Sequence, residues 1–163
     1  MKWWIGAVGC LLLACRIGSA SVSTDCARDT QQRCITPLAS LTPGVIDPAV
    51  TQTNIHQTIC VPGYSSRMRP PVQYTTPVKR KLLLAYHTFG AIKTYELDHL
   101  VSLELGGAPR DVRNLWPEPW DGIYGAHRKD RLENMLHRSV CTGKISLEYA
   151  QRCLMLDWRM CKP

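Results

Sequence analysis

The chain has 163 residues, one domain's length once a leader is removed, and its 45% hydrophobic content is enough for one packed core. Eleven prolines and eleven glycines exclude a bundle of long, unbroken helices and point to a loop-rich fold. The formal charge of +7 favours polyanionic partners, nucleic acid among them.

Residues 1–20 read as a targeting segment. Lys2 supplies the positive start, and Trp4 to Ala14 form an apolar run too short to span a bilayer comfortably. Gly18-Ser19-Ala20 offers a cleavage site after Ala20, which makes the mature protein periplasmic or extracellular and leaves it no transmembrane span. Two alternatives stand beside this one. Leu12-Leu13-Ala14-Cys15 is similar to a lipoprotein box, with Cys15 as the lipid anchor, or the segment is retained as an anchor helix. Lys2 and Arg16 leave with the leader, so +7 becomes +5. Six of the eight cysteines remain: Cys26, Cys34, Cys60, Cys141, Cys153 and Cys161. An even number in an oxidising compartment predicts three disulfides, with about fifteen connectivities open. No CxxC pair occurs, so a structural zinc site of the usual spacing is not expected.

Residues 21–75 are expected to form an irregular arm packed on the rest of the molecule, which occupies residues 76–163. Within the arm, Thr58 to Val61 reads as a short strand ended by Pro62-Gly63, and Arg67 to Pro71 as a basic loop. Thr76-Pro77 is a helix start by residue type, and the helix runs to Tyr86 with Lys79, Arg80 and Lys81 outward, on phosphates or simply in water. From residue 94 apolar and polar residues alternate, which predicts a strand that turns at Gly106-Gly107. Asn114 to Trp116 form a second strand, stopped by Pro117 and Pro119. A helix follows from Ala126 to Val140 with Leu132, Leu136 and Val140 inward, and another from Ser146 to Trp158. These elements make an α+β fold.

The stretch Leu97-Asp98-His99-Leu100-Val101-Ser102-Leu103-Glu104-Leu105-Gly106-Gly107, followed by Asn114-Leu115, resembles the HNH, or ββα-metal, family of nucleases. Asn114 to Pro119 and Ala126 to Glu133 are similar to an exported bacterial subgroup of it. The resemblance implies a small ββα-metal core, a nucleic-acid substrate (DNA favoured) and a divalent ion, magnesium before manganese or zinc. It implies His99 as general base, Asn114 beside it, and Asp98 on the metal. The chemistry agrees with these types. Phosphodiester hydrolysis needs a deprotonated water and relief of developing negative charge. Histidine titrates near neutrality, and an amide can hold an imidazole in place. On an ideal strand Asp98 and His99 would face opposite sides, so the resemblance requires a bend at the strand end.

One departure stands out. Where many members carry a ligand three residues before Lys129, this chain has Ala126, with His127 one position out of register. The last ligand is then His127 or Glu133, or Asp98 holds the ion with waters alone, or activity is lost. Arg110, Arg113, Arg128, Lys129 and Arg131 are the candidate phosphate contacts. Trp116, Trp120 and Tyr124 are base-stacking or core aromatics. The expected function is an exported, monomeric, metal-dependent endonuclease. The alternative is a catalytically inactive HNH-like module that binds nucleic acid or an envelope protein, an immunity protein included.

Overall fold

The computed structural model describes Met1 and residues 26–163; the expected leader, its cleavage site, Cys10 and Cys15 lie outside the described residues. Two antiparallel strands, β1 (Tyr95–His99) and β2 (Leu115–Pro119), form the sheet. Among the described residues there are four α-helices: α1 (Tyr64–Met68), α2 (Val72–Ala85), α3 (Ala126–Cys141) and α4 (Leu147–Asp157). The fold is α+β, as expected.

β2 runs through both prolines that were expected to end it. The pairing explains why. Leu100 N donates to Asn114 O and Trp120 N donates to Thr94 O. In the shared register, Asp98↔Trp116 and Glu96↔Glu118 are therefore the mutually bonded pairs, while Leu97↔Pro117 and Tyr95↔Pro119 turn their backbone groups outward. Proline lacks an N–H, but here no ladder bond needs one. β1's outer edge is covered from α2: Lys79 Nζ donates to Tyr95 O at 2.6 Å. Lys79 is thus an edge cover and not part of an exposed phosphate-binding row.

Two further boundaries differ from expectation. Thr58 to Val61 is a turn after the 3-10 segment Gln52–Gln57, not a strand. α2 starts behind Pro71 instead of Thr76, and Pro77 lies inside it, at the loss of one backbone bond. α3 and α4 agree with the periodicity, and Ser146 caps α4 by accepting from Tyr149 N at 3.1 Å.

The main core joins Leu136 and Val140 of α3 to Leu147, Ala150 and Leu154 of α4, over Val101, Leu105, Val50, Ile55 and Ile59. A second cluster packs Leu38 of the arm on Tyr86, Leu100 and Trp116. Trp116 is a core aromatic. The six cysteines form three bridges, Cys26–Cys34, Cys60–Cys141 and Cys153–Cys161. Bridges of this number agree with passage through an oxidising compartment. Among the described residues, no helix is long and apolar enough to cross a membrane.

Candidate functional site

Directly opposed residues of an antiparallel pair share a face, so Glu96, Asp98 and Glu118 stand together on the sheet. α3 brings Lys129 and Glu133 to them, one helical turn apart. Lys129 is 1% exposed. Its ammonium donates to Asp98 Oδ2 at 2.6 Å, to His99 O at 2.9 Å and to Glu133 Oε1. Asp98 and His99 line one cleft with Arg69, Glu96, Glu104, Trp120, Asp130 and Glu133. The chain bends after His99, and this brings both neighbours to the same opening despite strand alternation.

His99 Nε2 lies 3.0 Å from Pro109 O. A carbonyl only accepts, so Nε2 carries the hydrogen and Nδ1 keeps the lone pair. Burial, partly opposed by Asp98, holds the imidazole below its usual pKa. The ring is therefore a free base near neutral pH.

Asn114 acts one link away from this ring. Its side chain accepts from Val101 N at 2.9 Å and Val45 N at 3.3 Å, and donates to Val101 O at 3.0 Å and Ala108 O at 3.1 Å. It closes the 101–108 loop and so places Pro109, whose carbonyl holds His99; the amide acts on the imidazole through the backbone. Gly107 is required by the same closure. A Cβ there would sit 1.7 Å from Val101 O and 2.8 Å from Asn114 Nδ2.

The site's charges are strongly perturbed. Burial and the Asp98 carboxylate, toward which its proton is directed, push the fully buried Glu118 well up and favour its neutral form. Burial pushes Glu133 up to about 8, with Lys129 opposing and Asp98 adding to the rise. Glu96 rises to about 7 through burial, Asp98 and Asp130. Burial works most strongly against charge on Asp98, but Lys129, the Glu118 hydrogen bond and His99 together outweigh it and hold Asp98 low. For Lys129 too, Asp98, Glu133 and Glu118 overcome burial and keep the ammonium charged. One buried ion pair thus sits among acids that burial and mutual repulsion shift toward their protonated forms.

Of the residues expected at the site, Asp98, His99, Asn114 and Glu133 come together. His127 is exposed, with its ring against Trp120 at 5.3 Å between centroids. Ala126 is buried in the first turn of α3. Lys129 is not a surface phosphate contact; its ammonium is spent inside. Arg128 and Arg131 are exposed on α3, Arg110 lies over the Tyr74 ring, and Arg113 forks onto Asp111. None of these four lines the cleft; Arg69 does. Glu96, Glu118 and Asp130 were also not singled out. The i, i+2 spacing of Glu96 and Asp98 along a strand is the signal that could have found the first.

No protein-family model, curated protein or solved structure matches this chain. The functional reading therefore rests on the site's own residues. Among the described residues, the cleft carboxylates do not bring three ligand atoms to metal-binding spacing; Cys60, His137 and Cys141, elsewhere, do.

Proposed function

We propose that the protein is an exported, metal-dependent endonuclease of the HNH type that hydrolyses phosphodiester bonds, DNA before RNA. The observation that carries this is His99: a neutral imidazole, fixed at Nε2 by a backbone carbonyl, with its Nδ1 lone pair available beside Asp98 in an acidic cleft. The donor set of that cleft is mostly carboxylate oxygen, which suits a hard divalent ion such as magnesium or manganese. Asp98 and Glu133 would hold it, with waters completing the shell. Such an ion supplies relief of the negative charge that develops on the phosphate.

The chain's own residues account for the rest. His99 Nδ1 takes the proton from the attacking water. Asn114 keeps the loop, and through Pro109 the ring, in position. Arg69 meets the phosphate at the cleft, and Arg110, Arg128 and Arg131 meet the flanking backbone. Trp120, with His127 packed on it, offers a face to an unpaired base. The test is incubation of oxidised protein with plasmid and with RNA, with magnesium or manganese and with chelator, beside His99→Ala. We expect cleavage that needs the ion and falls about a hundredfold or more in the variant. Equal rates in both proteins would remove His99 from the mechanism.

A second reading is favoured by one observation. The ammonium of Lys129 stands between Asp98 and Glu133, the place a cation would take, and it already neutralises Asp98. On that reading the domain binds nucleic acid or an envelope partner without cutting. Binding with no cleavage under any metal would establish it.

A further inference from the structure

Outside the cleft, α3 carries a second constellation. His137 and Cys141 are one helical turn apart and so share a face. Across from them lies Cys60, bonded to Cys141, from a part of the chain 81 residues earlier. His137 Nε2 is 3.3 Å from Cys141 Sγ and 3.0 Å from Ile59 O, while His137 Nδ1 is 3.9 Å from Glu104 Oε2. One ligand atom from each of Cys60, His137 and Cys141 lies within 4.8 Å of the others, and all three residues are partly accessible. The other two bridges have no histidine in such a group among the described residues.

This geometry is close to that of a zinc site. A tetrahedral ion with sulfur ligands at about 2.3 Å and nitrogen at about 2.0 Å sets its sulfurs about 3.8 Å apart and sulfur to nitrogen about 3.5 Å apart. The existing nitrogen–sulfur distance is already close to that. The two sulfurs must separate, His137 must turn its Nε2 lone pair to the ion, and a water must fill the fourth position. Glu104 supplies what a metal-binding histidine normally has, a carboxylate at the other ring nitrogen. In the bridged protein Nε2 faces the Ile59 carbonyl and carries the hydrogen, so binding a metal requires that hydrogen to move to Nδ1, on the Glu104 side, and Nε2 to leave Ile59 O.

We propose that when a thiol reductant opens the Cys60–Cys141 bridge, Cys60, Cys141 and His137 bind one zinc ion, oriented by Glu104, so that disulfide and metal are alternative occupants of one site. The balance is simple. A dithiol gives two electrons and two protons to the bridge and becomes a cyclic disulfide. Zinc then replaces the two thiol protons. Re-oxidation by a disulfide oxidant returns the bridge and expels the ion. The end of α3 is tied to residue 60 in either state, which protects the fold of a chain whose bridges have not yet formed. The absence of CxxC spacing concealed the site, because folding, not local sequence, assembles it.

The test uses oxidised protein reduced without oxygen, then titrated with zinc, with metal per chain read by native mass spectrometry. Cobalt(II) substitution reports the number of thiolate ligands by its sulfur-to-metal charge-transfer absorption. We expect one zinc with two thiolates in the reduced protein, none at this site in the oxidised protein, and release on re-oxidation. His137→Ala leaves the bridge intact and should weaken zinc by tenfold or more. Glu104→Gln should weaken it by about 10–100-fold. A Cys26→Ser/Cys34→Ser double variant should change nothing. Circular dichroism guards against loss of fold: if reduction unfolds the chain, zinc should restore it. The proposal is overturned by a reduced protein that takes up no zinc, by full affinity in His137→Ala, by dependence on Cys26 and Cys34, or by a reduced chain that zinc leaves unfolded.

Discussion

Replacing Lys129 with methionine should be among the most destabilising single changes available in this protein. The side chain is buried, and its ammonium satisfies Asp98, Glu133 and the His99 carbonyl at once. Methionine keeps most of the volume but strands the Asp98 carboxylate, itself 8% exposed. Removing one partner of a buried pair typically costs about 3–5 kcal/mol. Glu133 softens the loss, because with its pKa at about 8 it takes up a proton near neutrality. About 3 kcal/mol at pH 7 is therefore expected. Lys129 lowers the Asp98 pKa, so this pairing stabilises above the unfolded aspartate value of about 3.9 and fades as pH falls through the lower folded value. The variant's deficit should thus shrink as the solution is acidified. Adding Asp98→Asn to Lys129→Met should recover about 1–2 kcal/mol, since the stranded charge is gone. Urea unfolding of the oxidised proteins at several pH values measures all of this. A deficit under about 1 kcal/mol at pH 7, or no recovery in the double variant, would refute the reasoning.

Three further outcomes can be measured in the same way. Asn114→Ala should cost about 3 kcal/mol, because it leaves the buried Val101 and Ala108 backbone groups unpaired, and thermal unfolding will show it. Glu96 holds its proton to about pH 7 in the fold but loses it near 4.5 when unfolded, so its contribution is complete below about 4.5 and declines toward pH 7. Glu96→Gln should therefore gain on wild type from pH 4.5 to pH 8, by about 1–2 kcal/mol after allowance for partial exposure; a gain that shrinks with pH would contradict the shift. Opening the Cys60–Cys141 bridge, with its 81-residue separation, should cost about 4.5 kcal/mol by chain entropy, against about 2.5 for either bridge of separation 8. Serine pairs at each bridge, compared by denaturant midpoint, check the order.

Elements marked by periodicity were legible in the sequence. α3 and α4 follow their apolar spacing, and Ser146 caps where its residue type says it should. Strand β1 was visible in the alternation around Leu97, but the end of β2 was not. Pro117 and Pro119 mean "stop" only if their backbone faces a partner, and register, which decides that, is set by the fold. Asp98, His99, Asn114 and Glu133 were found as types, whereas their links were not. Lys129 looks like any surface lysine of a basic helix, and nothing local reveals that Asp98 waits across the sheet to take it inside. Arg69 enters the cleft from the turn between α1 and α2, a long-range placement without a local mark. Cys60 likewise reaches His137 only through the folded arm.

The two prolines of β2 have a consequence for what can attach to this protein. An open strand edge is an invitation to any extended chain, because its unpaired N–H and C=O groups accept another strand. Here Pro117 and Pro119 remove two successive donors from that edge, and Leu115 O is already occupied by the Thr42 hydroxyl at 2.9 Å. Lys79 blocks the opposite edge. The sheet is closed at two strands. A peptide or a second copy finds few open backbone groups on which to add a third, so the protection against edge-to-edge aggregation lies in the backbone itself.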